Sequence, residues 1–372
     1  MRSIAIAAVP LALVAGCGGH YATSRPDGAP RGVEAAVLPY AIVDGRTGKA
    51  VDEDQFWAAL DAARVVCVGE EHPNPHHHWV QLQVVDHLSS RRTVGFGVGM
   101  EMVQRPYQGV LDDFAAGRID EAALLSRVGW EDRWGYDWKL YQPILTRAVA
   151  HRAALVALNA PRELTKKVVR EGLAALTAEE RAQVPELVLD DAQHRRWFDG
   201  VMSAMGGADA HSSTHAAPPD AADDAADADA DDAGGEPAPA PAPHDAAAPD
   251  GAAPDGAAAP ADPPAPAPGA APPMPSADAV YTVQVLWDET MASTAAAWVS
   301  AADDRAMVIL AGNGHCHDSA IVRRVSRRGV TPVVSVRPII DDGEGNVAEA
   351  IGEAMNDYLF VMTMPVEPHA AE

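Results

Sequence analysis

The chain has 372 residues, a formal net charge of −25 and an aromatic content of 5%. This acidic balance, with no basic stripe, argues against nucleic-acid binding. The length alone would allow two or three domains, but a segment of biased composition reduces the part that can fold.

The amino terminus has the pattern of an exported bacterial protein. Met1-Arg2 supplies positive charge, the apolar run from Ile4 to Val14 is too short to span a bilayer, and small residues precede Cys17. The pattern resembles a lipoprotein signal peptide with its lipobox, which implies cleavage before Cys17 and lipid on its thiol. A polar tether at 17–32 would follow. We therefore expect a lipid-anchored protein of the bacterial cell envelope; a signal peptide without lipidation is the alternative.

Most of the predicted strands and helices precede the segment of biased composition, and the rest follow it. The predicted strands are short apolar runs, at 64–69, 94–102, 154–159, 307–312 and 332–336. The predicted helices show apolar residues at helical spacing, at 53–63, 76–91, 106–116, 120–128, 138–152, 161–172, 280–298 and 317–328. Strands that alternate with helices of this length favour a three-layer α/β/α fold with a mainly parallel sheet. The pattern predicts one domain, made of 33–205 and 278–372.

The biased segment runs from Gly206 to Ala277. It has no aromatic residue, no Leu, Ile or Val and no Lys or Arg, and its 13 acidic side chains supply −13 of the net −25. Such a sequence cannot bury enough apolar surface to offset a backbone entropy of about 1–2 kcal/mol per residue. We predict a long disordered acidic insert at 206–277, a solvated spacer rather than a cation-binding tract.

Two cysteines remain beside Cys17. Cys67 lies inside the strand at 64–69, and Cys316 lies beside His315. Two thiols in an exported protein can pair, but most cysteines in a strand pattern are small buried hydrophobic residues. We therefore expect Cys67 and Cys316 to be unpaired.

Two segments share the pattern Gly-x-x-His, and each comes directly after a predicted strand. The first ends at His72 and the second at His315. Because the carboxyl ends of parallel strands meet at one edge of the sheet, where α/β folds bind ligands, we expect the two histidines to be neighbours in space.

Other polar side chains stand at the same predicted edge. Glu70 follows the first strand, Glu101 ends the second and Asn159 ends the third. Each of them alone is more simply a hydrogen-bonded or solvated residue. Two imidazoles together with carboxylates, however, suit either a divalent metal or a general acid/base pair. The sequence therefore predicts a functional site at this edge.

Five aromatic residues lie within twelve positions, which is a strong concentration for this chain. They are Trp130, Trp134, Tyr136, Trp138 and Tyr141. One interpretation is a core patch beneath a long loop. The other is a surface for a planar hydrophobic ligand, since such sites are apolar with a few polar groups and a tyrosinate can hold ferric haem iron.

Long motifs along the chain carry a resemblance to a known family. They are GEEHPNPHHHWVQLQ, GMEMVQRPYQGVLDDFAAG, WEDRWGYDWKLYQPIL, ALNAPRELTKKVVREGLAAL, QVLWDETMA and VILAGNGHC, in that order. With the lipobox, they resemble the ChaN-like haem-binding uptake lipoproteins over nearly the whole folded body. That family is similar in its paired GxxH motifs to the Tiki and TraB proteins and to erythromycin esterases, some of which are metal-dependent proteases or hydrolases.

The resemblance implies a membrane-attached protein of haem or iron uptake. It implies haem bound between the subunits of a homodimer, with the iron held by a tyrosine; Tyr141 and Tyr136, in that order, are the candidates. The metal or acid/base positions of the superfamily carry over onto four residues, with Asn159 beside them as part of the cofactor site. The four are Glu70, His72, Glu101 and His315.

Two functions therefore remain open. The first is a haem-binding lipoprotein without turnover. The second is a metal-dependent hydrolase, protease-like or esterase-like, in which His72, Glu101 and His315 hold a divalent metal and Glu70 acts as base towards a bound water. The tyrosine-bearing segment and the likeness over the whole chain favour haem binding. Two departures from the family are Pro73, at a position that is often acidic, and the acidic insert.

Overall fold

The computed structural model describes residues 37–92, 94–206 and 275–364. The predicted signal peptide, Cys17, the tether at 17–32 and nearly all of the predicted insert lie outside the described residues. Within this part of the chain, no helix combines the length and the apolar character that crossing a membrane requires.

A seven-stranded sheet forms the centre of the protein. Its strands are β1 (Tyr40–Asp44), β2 (Val65–Val68), β3 (Phe96–Gln104), β4 (Ala154–Asn159), β5 (Ala306–Leu310), β6 (Val333–Asp341) and β7 (Tyr358–Thr363). Their order across the sheet is β1-β7-β6-β2-β5-β3-β4. Among these strands, β1 alone is antiparallel to its neighbour, which confirms the predicted mainly parallel sheet.

Helices cover both faces of the sheet. They are α1 (Glu53–Ala62), α2 (Pro75–Arg91), α3 (Gln108–Ala115), α4 (Glu121–Val128), α5 (Trp130–Arg133), α6 (Trp138–Ala150), α7 (Arg162–Glu171), α8 (Ala178–Gln183), α9 (Ala192–Gly206), α10 (Ala277–Ser300), α11 (Arg323–Arg327) and α12 (Asn346–Glu353). The apolar faces of α1, α2 and α6 pack on one side of the sheet, and those of α7 and α10 pack on the other. The fold is therefore the predicted three-layer arrangement.

The central strand β2 shows why a continuous apolar run indicates a buried strand. Val66 and Val68 face the layer of α1, α2 and α6, whereas Val65 and Cys67 face α7 and α10. Successive side chains of a strand point to opposite faces, so a strand covered on both sides is apolar at every position. Burying each valine stabilises the fold by about 1.5–3 kcal/mol.

The sheet also contains two strands that the sequence pattern did not predict. β1 and β7 pair with each other at one edge, and β6 runs to Asp341, five residues beyond the predicted end at 336. β1 is the edge strand and is partly exposed, so its apolar signal is weaker than that of β2. β7 lies between β1 and β6 and is mostly buried, but the sequence analysis did not identify its apolar run as a strand.

Cys67 and Cys316 form a disulfide bond, with their Cα atoms 5.3 Å apart. The expectation that they are unpaired was wrong. β2 and β5 are neighbours in the sheet, so the turn after β5 brings Cys316 to the face on which Cys67 points. A sequence separation of 249 residues hides this proximity.

Candidate functional site

The carboxyl ends of the four strands that carry the predicted site residues lie side by side. β2, β5, β3 and β4 are consecutive in the sheet. The fold therefore places four groups of residues at one rim of the sheet: Glu70 and His72, Gly312 to His315, Glu101, and Asn159. More than two hundred residues of sequence separate Glu70 from His315.

Glu70 is the centre of one half of the site. Its carboxylate accepts hydrogen bonds from the Tyr141 hydroxyl at 2.8 Å and the Gln81 amide at 2.7 Å. His72 Nδ1 lies 2.7 Å from Oε1, and His78 Nδ1 lies 3.4 Å from Oε2. Burial alone would raise the pKa of Glu70, but the imidazoles of His78 and His72 and the Tyr141 hydroxyl lower it from 4.5 to about 2. Glu70 is thus a buried carboxylate at neutral pH.

This carboxylate fixes the orientation of His72. A carboxylate only accepts hydrogen bonds, so the imidazole carries a proton on Nδ1 and directs Nε2 away from Glu70. The ring lies against Gly312, where an added Cβ would come within 3.1 Å of His72 Cε1 and 3.4 Å of Nε2. A side chain at 312 would crowd the imidazole, so a glycine suits this position.

Glu101 and His315 form the other half of the site. Glu101 Oε2 accepts the backbone N–H of Gly312 at 2.7 Å, and Oε1 lies 3.2 Å from His315 Nε2. His315 Nδ1 lies 2.7 Å from Asp288 Oδ1 on α10. Burial alone would lower the pKa of His315, but Glu101 and Asp288 raise it well above its ordinary value. His315 is therefore an imidazolium held between two carboxylates.

Asp288 is a site residue that the sequence analysis did not identify. It is fully buried, and its Oδ2 lies 3.0 Å from His194 Nε2 on α9 and 3.8 Å from Arg324 Nη1. Burial would raise the pKa of Asp288, yet Arg324, His194 and His315 hold it below its ordinary range. A signal was present, because Gln284 and Asp288 are polar residues four positions apart on a helix with many apolar positions and so share one face.

The described residues do not gather a metal-binding group. No set of three or more His, Cys, Asp or Glu side chains in 37–92, 94–206 and 275–364 is arranged to hold a metal ion. Both nitrogens of His315 lie within 3.2 Å of a carboxylate oxygen. The donors expected for a metal thus face one another.

Asn159 lies at the rim, but its side chain forms a hydrogen bond within its own turn. Its Oδ1 accepts the backbone N–H of Ala160 at 2.8 Å. Among the described contacts, Asn159 makes no hydrogen bond with the carboxylates and imidazoles of the site.

The two candidate tyrosines lie in different surroundings. Tyr141 is 0% exposed. Its burial and the neighbouring Glu70 carboxylate raise the pKa of its phenol well above the ordinary value. Tyr136 is half-buried, and its ring packs on His72 and on Trp134, with centroids 4.8 Å and 5.4 Å away. Tyr136 therefore connects the aromatic segment to the rim of the sheet.

Tyr136 also lines a cavity of about 550 Å³ on the outer side of the aromatic segment. The rings of Trp130 and Trp138 contribute to the same wall. The indole N–H of Trp138 is buried, and no described residue accepts its hydrogen bond. The acidic residues Glu131 and Asp137 also line the cavity. A cavity of this size with aromatic walls suits a flat and largely apolar ligand.

Comparisons with known proteins give one family match and similar solved structures. The family model described as haem-binding uptake, Tiki superfamily, ChaN matches residues 56–325. The solved structure of ChaN of Campylobacter jejuni, described as showing cofacial haem binding, is similar with a TM-score of 0.55 and 15% sequence identity, covering 87% of this chain and 96% of that one. At this identity the likeness shows a shared fold.

A mutant erythromycin esterase, EreC, in its open conformation is a second similar structure. Its TM-score is 0.42 at 11% identity, over 90% of this chain and 100% of that one. Among curated protein sequences, none matches the chain significantly.

Proposed function

The chain belongs to the haem-binding uptake family of the Tiki superfamily that includes ChaN, and from this premise we propose that it is a membrane-anchored haem-binding lipoprotein of haem or iron uptake. The observation that carries the proposal is the extent of the family match. It spans residues 56–325 and so includes both halves of the rim site and the aromatic segment between them.

We place the haem against the cavity beside Tyr136. The residues present fit such a group, because Trp130 and Trp138 offer apolar walls and Tyr136 offers a phenol. When bound, haem supplies a ferric iron for which a phenolate oxygen is a suitable ligand.

Tyr136 replaces Tyr141 as the preferred iron ligand. A tyrosine must lose its proton to hold ferric iron, and a raised pKa opposes that loss. The Tyr141 phenol is enclosed in the core and donates its proton towards Glu70. Tyr136 is only partly buried and lines the cavity, so a ligand in the cavity can reach it.

A hemin titration tests the haem proposal. We expect a shifted Soret band with the charge-transfer features of tyrosinate-bound ferric haem. Tyr136→Phe should remove those features, whereas Tyr141→Phe, the matched control in the same segment, should keep them. The reverse pattern would return the assignment to Tyr141, and an unshifted Soret band with the unsubstituted protein would refute haem binding.

Membrane attachment through Cys17 and pairing of two copies around haem belong to the same proposal. The lipobox pattern supports the first, and the Cys67–Cys316 disulfide is consistent with an oxidising compartment outside the cytoplasm. The family resemblance supports the second. Mass spectrometry of the mature amino terminus tests lipidation, and sedimentation with and without hemin tests dimer formation.

Hydrolysis is a second candidate function, favoured by the Glu70–His72 pair. A buried carboxylate behind Nδ1 of a histidine orients the ring and strengthens Nε2 as a general base. In this reading His72 would take a proton from an attacking water, and no step passes through a metal. Hydrolysis of a p-nitrophenyl ester should then be lost in His72→Ala and kept in His87→Ala, in which the surface His87–Asp61 pair is broken. Equal rates in all three proteins would exclude this role.

A further inference from the structure

An apolar corner stands where the described chain begins and ends. It consists of Val37, Tyr40 and Met364, whose side chains are 67%, 38% and 50% exposed. Tyr40 pairs with Met362 in the β1–β7 ladder, and the N–H of Thr363 donates to the carbonyl of Pro39 at 2.9 Å. The two chain segments are therefore neighbours, and three of the five exposed large hydrophobic residues of the described chain meet there.

The two chain segments that form the corner lack charge in a strongly acidic protein, and the Tyr40 hydroxyl donates a hydrogen bond to the Glu53 carboxylate of α1 at 3.0 Å. Neither 35–43 nor 358–364 contains a charged residue, although the chain carries a net charge of −25. Single exposed hydrophobic residues are ordinary, whereas adjacent ones without charges mark an interaction surface.

Aromatic rings lie behind the corner. The Tyr40 ring stacks on Phe360 at 4.6 Å, and Trp79 lies 6.1 Å from Tyr40 and 6.2 Å from Phe360. Tyrosine and tryptophan combine an apolar ring with a polar group, and they are enriched where protein meets the lipid–water interface.

The corner lies at the same end of the parallel strands as the rim site, namely the carboxyl end. Val68, the last residue of β2, is level with Val336 of β6, and Thr363 of β7 is level with Asp341, five residues further on. At about 3.3 Å per residue, the corner projects roughly 17 Å beyond the end of β2 in the direction of the site. Trp79 also comes from the first turn of α2, next to His78, which contacts Glu70.

We propose that the apolar corner docks on the lipid bilayer that holds the acyl chain of Cys17, so that the rim with Glu70 and His72 faces the membrane. The inference rests on the proposed lipoprotein function for its anchor. Twenty peptide steps separate Cys17 from Val37, so the corner stays within about 70 Å of the anchored thiol. Such confinement raises the effective concentration of the bilayer, and a small apolar surface then suffices for docking.

This orientation gives the site a supply of ligand. A planar apolar molecule such as haem partitions into a bilayer because water is expelled from its faces. A binding site at this end of the strands would then lie close to the membrane that holds such a molecule.

Local polarity at labelled positions tests the docking. The lipidated full chain is reconstituted in phosphatidylcholine vesicles, which carry no net charge, with Val37→Cys or Met364→Cys bearing a polarity-sensitive fluorophore. Cys17 is blocked by lipid, and Cys67 and Cys316 are joined to each other, so the new cysteine is the one free thiol. Val94→Cys is the matched control, because Val94 is 72% exposed and precedes β3, on the opposite rim.

Vesicles should shift the emission to the blue at positions 37 and 364 and leave position 94 unchanged. Adding Val37→Asp and Met364→Asp to an Ala41→Cys reporter should abolish the shift seen with that reporter alone. A blue-shifted signal from a labelled Cys17→Ser protein in buffer without vesicles or detergent would assign the corner to residues 365–372, and a shift that follows protein concentration without vesicles would assign it to a second copy. Either result, or equal signals at all positions, overturns the proposal.

The hemin titration in detergent separates the two levels of inference. If haem binds and the probes stay in water, the docking proposal fails alone. If the mature protein carries no lipid on Cys17, the anchor itself is wrong.

Discussion

The hydroxyl of Tyr141 donates a hydrogen bond of 2.8 Å to Oε1 of Glu70, across 71 residues of sequence. The same oxygen lies 2.7 Å from His72 Nδ1. The buried Glu70 carboxylate therefore contacts both α6, through Tyr141, and His72 at the rim. A change at Glu70 should therefore affect both the aromatic segment and the rim site.

Tyr141→Phe should destabilise the fold without removing haem binding. The substitution keeps the ring and deletes one donor to a buried carboxylate, which costs about 1–3 kcal/mol of the free energy of unfolding. Urea unfolding measures the change. Tyr40→Phe, which deletes an exposed hydrogen bond to Glu53, is the control and should lie within about 0.5 kcal/mol of the unsubstituted protein. Equal stability of all three proteins would show that the Tyr141–Glu70 bond contributes nothing.

Glu70→Gln should change how stability depends on pH. The pKa of Glu70 is lowered from 4.5 to about 2 in the folded protein. A carboxylate with a depressed pKa stabilises the fold fully above its unfolded pKa, and this contribution disappears as pH falls from about 5 to about 2. The shift corresponds to roughly 3 kcal/mol at neutral pH.

Urea unfolding between pH 2 and pH 7 measures this effect. The stability gap between the unsubstituted protein and Glu70→Gln should be widest above pH 5 and should narrow towards pH 2. Glu101 and Asp288 also have lowered pKa values, but they are present in both proteins and cancel in the difference. A gap that stays constant with pH would mean that Glu70 is not ionised in the folded state.

The sequence predicts the central sheet and the rim well because both depend on strong local signals. A run such as 64–69 is apolar at every position, which occurs where a parallel strand is covered on both faces. Once the strands are parallel, topology brings the residues after β2 and β5 close to the last residues of β3, so the proximity of Glu101 and His315 follows from strand ends alone.

Other contacts depend on tertiary geometry that no local pattern contains. Asp288 joins the site from the side of a buried helix, and Cys316 meets Cys67 because β2 and β5 are adjacent. In the sequence analysis, Tyr141 also ranks before Tyr136. Only the packing shows that one is enclosed against Glu70 and the other faces a cavity.

Asp288→Asn should strongly destabilise the protein. It removes the carboxylate that faces His315, His194 and Arg324 in the interior. Breaking a buried ion pair leaves uncompensated charge and costs about 3–5 kcal/mol. Asp278→Asn is the control on the same helix, since its exposed pair with Arg195 is worth about 0–1 kcal/mol. Similar urea midpoints for the two variants would contradict the buried network.

Removing the Cys67–Cys316 disulfide should lower the free energy of unfolding by a large amount, because the bond closes a long loop. The bond joins residues 249 positions apart, so its loop contains α2 to α10 and the predicted acidic insert. In the chain-entropy model, closing a loop of this length destabilises the unfolded chain by about 5 kcal/mol. Strain in the folded protein or residual structure in the unfolded chain lowers the measured value. Cys67→Ala with Cys316→Ala should therefore unfold at clearly lower urea than the oxidised protein. Adding a reductant should bring the unsubstituted protein close to the double variant and leave the variant unchanged. If the reductant has no effect on the unsubstituted protein, its cysteines are not joined in solution.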